Sequence, residues 1–565
     1  MRGRLKIISD QLADRVAEAL ARARDDGALS FDELPEVRKF MEVPREREHG
    51  DLACTVALAL ASEAKVSPRR IGEAILERLD RDYPYLDRAE IAGPGFLNFH
   101  LKPLWLEHAL RDILSRGEDW GRTDHGGNLK IQVEFVSANP TGPMVVVQAR
   151  SGAVGDVLAN LLDAAGYDVS REFYINDAGT QVDHLGESLE VRYRQLLGED
   201  VELPPDGYPG EYLVDIARKL LEEKGPCLMD HPEEERRRLF KDYAVREIVA
   251  WQRRDLEAYG VKFDVWFSER TLYETGALAD VIEELKRRGY TREEGGALWF
   301  RSTEFGDDKD RVLLRREAGA PTYLTADIAY HRNKFQRGFE KVIDIWGPDH
   351  HGYIARMKAA VQALGHPADA LEVLIVQWVK LMKGGEAVKM SKRGGQFILM
   401  SDLVEEVGVD AARFFFLMRS PDSPMEFDMD LAVEQSDENP VYYVQYAHAR
   451  LASIFRRAEE EGYRIPAPEE ADLSLLQHEA ERDLIRLMAA LPEEIIEAAE
   501  SREPHRMTRY ALNLATKFHV FYTQCRVLDR ERPDLTAARL VLAGATKMVL
   551  GNVLRLLGVS APESM

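Results

Sequence analysis

The stretch from Leu129 to Ile175 constrains the fold of this chain more than any other. Leu129, Ile131, Val133 and Phe135 alternate with Lys130, Gln132 and Glu134, the period of a strand with two unlike faces. Ser137-Ala-Asn-Pro-Thr-Gly-Pro143 interrupts it with turn formers. From Ala149 the period becomes helical: Val154, Val157, Leu158, Leu161 and Leu162 share a face, and Gly166 stands where the chain leaves the helix. Tyr167 to Ile175 reads as the next strand. That order predicts the βαβ unit of a doubly wound parallel sheet, whose ligands sit at the carboxyl ends of the strands. Here that end is the turn from Ser137 to Gln148.

A second half-sheet follows the same plan. Val342 to Trp346 and Leu374 to Val376 read as strands around a helix bearing Ile354, Met357, Val361 and Leu364. Gly347-Pro-Asp-His-His-Gly352 forms the polar turn at a strand's carboxyl end. Residues 177–319 between the halves are helical and charged, the character of an insertion. Ahead of the sheet, helices are expected through Ile8 to Leu20, Asp51 to Ala61 and Ile71 to Leu79, then a strand over Ile91 to Leu101. After it the apolar spacing is helical almost to the end. The expected architecture is α/β: an α+β domain over 1–112, a doubly wound domain over 113–435 and a helical bundle over 436–565.

Charge narrows the partners. A net charge of −23 opposes general affinity for nucleic acid, so any RNA must meet a local basic face. Three distant cysteines, Cys54, Cys227 and Cys525, match neither a disulfide framework nor a zinc site and fit a reducing compartment. No signal-peptide core is present, and no uninterrupted apolar run approaches the ~20 residues of a membrane span. A cytoplasmic protein without membrane contact is expected. The chain also lacks a P-loop and a Gly-x-Gly-x-x-Gly turn. Phosphates would need another holder. Lys389-Met-Ser-Lys392, between Gly384-Gly385 and Gly394-Gly395, suits a loop that closes cations over polyphosphate as pyrophosphate leaves; alone, such a lysine pair is more often a solvated loop.

In that context the tetrapeptide resembles the KMSK motif of class I aminoacyl-tRNA synthetases. Longer blocks resemble one member, the arginyl-tRNA synthetases: Glu134 to Pro143, Phe173 to Gln181, Tyr323-Leu-Thr-Ala-Asp327, Trp346 to Tyr353, Asp410 to Phe416, Asn439 to Arg450 and Phe518 to Leu528. The resemblance spans nearly the whole chain. It implies a class I Rossmann-like fold and an arginine–tRNA ligase that uses ATP with Mg²⁺, with an arginine-accepting tRNA and arginine as partners, acting as a monomer. It places arginine against Glu134, Asn139, Tyr323, Asp327 and Asp349. ATP falls to Ser137, Thr141, Gly142, Val145, Val147, Gln148 and Ser391. Lys389, Lys392 and Gln148 take the catalytic roles, and no resident metal is expected. For tRNA it implies the N-terminal domain through Asn98 and the C-terminal bundle through Tyr446 and Tyr522. Tyr442, Tyr443 and Phe521 are further candidate stacking surfaces, although aromatics at helical spacing are more often core.

The chain departs from the family at one place. The His-x-Gly-His motif expected after Pro143 is replaced by Val145-Val-Val-Gln148. The two imidazoles would donate to the phosphates in the transition state; Gln148 retains a donor and Val145 has none. Two readings stay open: a ligase with impaired activation, or a non-catalytic paralogue that binds tRNA or arginine in a regulatory role.

Overall fold

A computed structural model describes residues 3–315, 320–388 and 398–565. Its centre is a five-stranded parallel sheet in the order Leu371–Ile375, Lys341–Trp346, Lys130–Glu134, Asp168–Ile175 and Val265–Ser268. Numbered along the chain this is 3-2-1-4-5 read from the other edge, the doubly wound order. The strand order reverses between Lys130–Glu134 and Lys341–Trp346, which makes their carboxyl ends the crevice of the fold.

Lys130–Glu134 is central, so it has no solvent face. Gln132 and Glu134 are buried along with Ile131 and Val133, contrary to the two unlike faces expected from alternation. Position in the sheet has overridden the period-2 signal. The helix that follows, Val146–Ala164, starts three residues before Ala149 and is buried on nearly all sides. Gly155 lets it lie against the strand's end, where a Cβ would collide with the Phe135 ring.

The stretch 177–319 is not one excursion. Helices Thr180–Leu196, Tyr212–Lys224 and Glu233–Ala258 gather around Leu185, Leu189, Tyr193, Phe240 and Ile248. The chain then returns to add Val265–Ser268 to the edge of the main sheet before a three-stranded antiparallel unit of Thr291–Glu294, Ala297–Phe300 and Arg311–Leu314.

At the N-terminus, Val56–Ala64 and Pro68–Arg78 pack on a four-stranded antiparallel sheet, and Arg4–Asp25 packs against Pro68–Arg78. Leu52–Cys54, expected within a helix, is a strand of that sheet between Met41–Glu42 and Phe96–Leu101. Its apolar run is short and buried, a case in which periodicity alone does not separate helix from strand. The expected strand over Ile91 to Leu101 is a hairpin, Leu86–Ala92 with Phe96–Leu101.

The C-terminal bundle contains Pro440–Glu460, Glu479–Ala489, Leu491–Glu500, His505–Gln524 and Pro533–Leu557. Pro533–Leu557 is long and apolar enough to cross a bilayer, but 67% of its apolar window is buried inside the protein. Here that length is a core helix. The three cysteines are free.

Candidate active site

Every candidate group near the crevice comes from the carboxyl end of a strand or the first turns of a helix facing it. Beyond Glu134 the backbone enters the left-handed region at Val136, φ +67°, and Ser137, φ +38°. A β-branched residue there is strained, and such strain persists only where surroundings fix it. The Ser151 hydroxyl accepts from the Val136 N–H at 3.3 Å. Ser137 Oγ donates to Glu134 Oε1 at 2.9 Å and accepts from the Tyr174 N–H at 3.1 Å.

The rest of the turn is held from the inserted helices. Gln252 Nε2 donates to the carbonyls of Asn139 at 3.0 Å and Gly142 at 2.9 Å, and the Tyr212 hydroxyl donates to the Thr141 carbonyl at 2.5 Å. Asn139 is exposed at the mouth and its side-chain oxygen accepts from Asn176 Nδ2 at 3.3 Å. The backbone of Thr141 and Gly142, both assigned to ATP by resemblance, is thus fixed by residues more than sixty positions away.

Val145 caps the helix Val146–Ala164 in an extended conformation and its side chain makes no cap hydrogen bond. Gln148 turns back instead: its Oε1 accepts from the Val145 N–H at 2.8 Å. Val147 and Gln148 are half-buried in the first turn. Val145 also bridges Leu399, and the Met400 N–H donates to the Met144 carbonyl at 2.9 Å. The altered turn is therefore tied to the segment that follows the lysine loop. Lys389, Ser391 and Lys392 themselves lie outside the described residues.

Across the crevice, the helix Tyr323–Gln336 presents Tyr323, 64% exposed, at its first position and Asp327 one turn deeper. The Tyr353 hydroxyl donates to Asp327 Oδ2. Burial pushes the Asp327 carboxyl up, against the pull of that bond and of His331. Sequence reasoning passed over a second acid here. Glu269 follows the edge strand Val265–Ser268, is 4% exposed, and accepts from the Tyr273 hydroxyl at 3.2 Å. Burial, reinforced by Asp327 and Asp177, pushes its carboxyl up to about 7. Asp177 is occupied, accepting from the Ser268 hydroxyl at 2.6 Å and the Arg270 N–H at 3.0 Å.

Glu134 is deeper than the mouth. Its Oε2 accepts from Lys334 Nζ at 2.5 Å, and both residues are buried. Asp349, His350 and His351 are exposed on the turn after Lys341–Trp346, with the His350 ring 6.1 Å from Trp346. Among the described residues no group of three or more His, Cys, Asp or Glu could hold a metal ion.

A second polar region lies on the C-terminal bundle. The Arg450 guanidinium sits 4.4 Å over the Tyr446 ring and 5.2 Å over the Tyr522 ring. These residues open on a groove of about 700 Å³ that also holds Arg456, Arg457 and Arg526. Tyr442 and Tyr446 are nearly parallel at 6.1 Å, whereas Phe521 is wholly buried. Asn98 is 3% exposed within the N-terminal sheet and offers no surface to RNA.

Comparison with known proteins matches three segments of the chain to family models. Residues 10–101 match the arginyl-tRNA synthetase N-terminal domain, 109–418 the catalytic domain of class I (R) tRNA synthetases and 444–565 the DALR anticodon-binding domain. The chain is 52% identical over 557 residues to an arginine–tRNA ligase of Caldanaerobacter subterraneus subsp. tengcongensis, covering 98% of each. It is 48% identical over 565 residues to that of Desulforamulus reducens, covering 100% of each. An arginyl-tRNA synthetase structure from Thermus thermophilus shares the fold, with a TM-score of 0.72 at 23% identity over 98% of this chain and 100% of that one.

Proposed function

Because the chain belongs to the arginyl-tRNA synthetase family and its function is that of an arginine–tRNA ligase, we propose that the switch-point crevice joins arginine to ATP and that the altered turn Val145–Gln148 slows this first step. One observation supports the substrate assignment above others. Asp327 and Glu269 are two carboxylates at one mouth, each held by a tyrosine hydroxyl and, among the described residues, neither neutralised by a lysine or arginine hydrogen bond. A guanidinium, planar and permanently charged, is the cation that two fixed carboxylates suit best. Tyr323 stands exposed on the first turn of the same helix as Asp327, its hydroxyl 4.0 Å from where a Cβ on Gly179 would stand. Asn139 and Asp349 then face the amino-acid backbone end, while Glu134 supports the turn from beneath through Ser137.

The reaction uses ATP. Attack of the arginine carboxylate on the α-phosphorus forms arginyl-adenylate and releases pyrophosphate; the adenylate then passes arginine to the terminal ribose of the tRNA. Phosphates lie near Ser137, Thr141 and Gly142 and before the helix Val146–Ala164, whose positive dipole end favours anions. Gln148 keeps its amide nitrogen for one further bond. Lys389 and Lys392 stabilise the leaving pyrophosphate with their charge, and Ser391 contributes to ATP binding. Mg²⁺ would enter with ATP as part of the substrate. The C-terminal groove around Tyr446, Arg450 and Tyr522 takes the anticodon loop, stacking bases on its rings. The protein acts as a cytoplasmic monomer away from membranes.

The test is arginine-dependent ATP–pyrophosphate exchange with the arginine tRNA present, on the parent and on Val145→His/Val147→Gly/Gln148→His. Each donor missing at a transition-state oxyanion typically costs about 10²–10³ in rate. With the helix amides and Gln148 in partial compensation, the triple variant is expected to gain about tenfold or more. A parent as fast as the variant removes the slowing. A parent that binds arginine and tRNA but exchanges nothing assigns it the regulatory role instead.

A further inference from the structure

Behind the arginine pocket lies a buried layer of charge. Asp344, Glu134 and Glu172 stand at paired positions on three neighbouring strands. The helix Tyr323–Gln336 faces them with Tyr330, His331 and Lys334, one and two turns beyond Asp327. Lys334 Nζ donates to Glu134 Oε2 at 2.5 Å and to Asp344 Oδ1 at 2.8 Å. His331 Nδ1 lies 2.8 Å from the Asp327 carbonyl and Nε2 lies 2.9 Å from Asp344 Oδ2. Lys334 and His331 together outweigh burial and hold the Asp344 carboxyl down at about 2. Both His331 partners are then acceptors, so both bonds form only when both ring nitrogens carry hydrogen. Two carboxylates thus meet one lysine and one imidazole. Glu172 is matched separately by Arg337, at 2.6 and 2.9 Å, and by the Tyr330 hydroxyl at 2.6 Å.

A buried ion pair stabilises a fold little compared with apolar packing of the same shape. Stability is therefore a poor reason for the layer, and its outer end suggests a better one. Glu134 Oε1 accepts from Ser137 Oγ, in the left-handed stretch that begins the substrate turn. One guanidine-free cation, Lys334, thus reaches that turn through a single carboxylate.

We propose that Lys334 is a positioning residue for arginine recognition: its buried ion pair fixes Glu134, and Glu134, through Ser137, holds the strained turn in its binding shape. The inference rests on the reading of this crevice as the arginine site. Burial pushes the Glu134 carboxyl up, against the pull of Lys334. Without Lys334 it is buried beside Asp344, with Tyr330 and Tyr174 close by and Glu172 on the next strand, so it is driven further toward the protonated form and the turn loses its anchor.

Arginine binding by calorimetry on the full chain between pH 6 and 9 tests this without requiring turnover. Lys334→Met is expected to weaken binding at least tenfold relative to the parent at pH 7. The deficit should shrink by up to about tenfold per pH unit as Glu134 ionises again. Glu134→Gln/Lys334→Met removes both charges, so it should fold even where the single variant fails, and bind weakly with no such recovery. Ser137→Ala keeps every ion pair; it should melt with the parent and bind arginine more weakly at every pH. Parent-like binding by the double variant or by Ser137→Ala overturns the proposal, as does a Lys334→Met deficit of the same size at all pH values. A parent that binds no arginine at any pH refutes the reading of the site, and the inference with it.

Discussion

Glu269 sets the pH behaviour of the pocket. Its carboxyl is raised to about 7 by burial, with Asp327 and Asp177 adding to the shift. A carboxyl raised on folding binds a proton that the unfolded chain has released, so its contribution to stability is full below the unfolded value and is lost as pH rises through about 7. A bound guanidinium favours the carboxylate. Arginine binding should therefore release a proton between pH 6 and 7 and tighten as pH rises across that range. Calorimetry in two buffers of different ionisation heat measures the released proton directly; identical heats in both would refute the assignment. Glu269→Gln should weaken arginine binding about 10- to 100-fold at pH 8, the worth of a charge-assisted bond, while raising the melting temperature of the arginine-free protein at that pH. Glu269 was not legible in the sequence because the strand that delivers it, Val265–Ser268, has only four residues inside a charged stretch. Lys334 left a better trace: Asp327, His331 and Lys334 recur at helical spacing along one face, an ionic stripe that can only be buried if it is paired.

At the scale of elements, one guanidinium ties three helices to its own. Arg413 is wholly buried in Val409–Phe416. It donates to Asp156 of the helix Val146–Ala164 at 2.5 Å, to the Tyr259 carbonyl after Glu233–Ala258 at 3.2 Å, and to the Leu557 carbonyl ending Pro533–Leu557 at 3.1 Å. Arg413→Met strands a buried carboxylate and two carbonyls. The expected loss is about 3 kcal/mol in urea unfolding, the low end for a broken buried pair, because Arg171 remains 3.6 Å from the other Asp156 oxygen. Adding Asp156→Asn should recover part of it; a single variant as stable as the parent would show the contact to be idle. Long elements with their own punctuation, such as Val146–Ala164 before Gly166 or Ile354–Ala363 before Gly365, could be read from periodicity and glycine alone. Leu52–Cys54 and Val265–Ser268 could not. Each is a strand only because a distant strand pairs with it, Phe96–Leu101 in one case and Asp168–Ile175 in the other. The same holds for the turn at Asn139–Gly142, shaped by Tyr212 and Gln252 through contacts that no local pattern encodes.

For the whole molecule, a net charge of −23 must coexist with binding a polyanion. Long-range repulsion makes local cations decisive, and not all arginines in the C-terminal groove are equal. Arg457 is paired with Glu461 at 2.5 Å. Arg450 has no carboxylate partner among the described residues and lies over two tyrosine rings, where a phosphate and a stacked base can be met together. Arg450→Ala should therefore weaken tRNA binding and flatten its dependence on salt by about 0.7 in the slope of log K against log[salt], the release expected for one phosphate contact on a single strand. Arg457→Ala should change that slope far less, because Glu461 already neutralises the charge it removes. Fluorescence anisotropy of labelled arginine tRNA between 50 and 200 mM salt separates the two. Equal effects would mean that the groove acts only through its summed charge. No effect from Arg450→Ala would move the RNA to another face. The acidic remainder of the surface then has a physical consequence: it repels nucleic acid everywhere except where a cation stands unpaired, so specificity for one docking face follows from charge placement before any base is read.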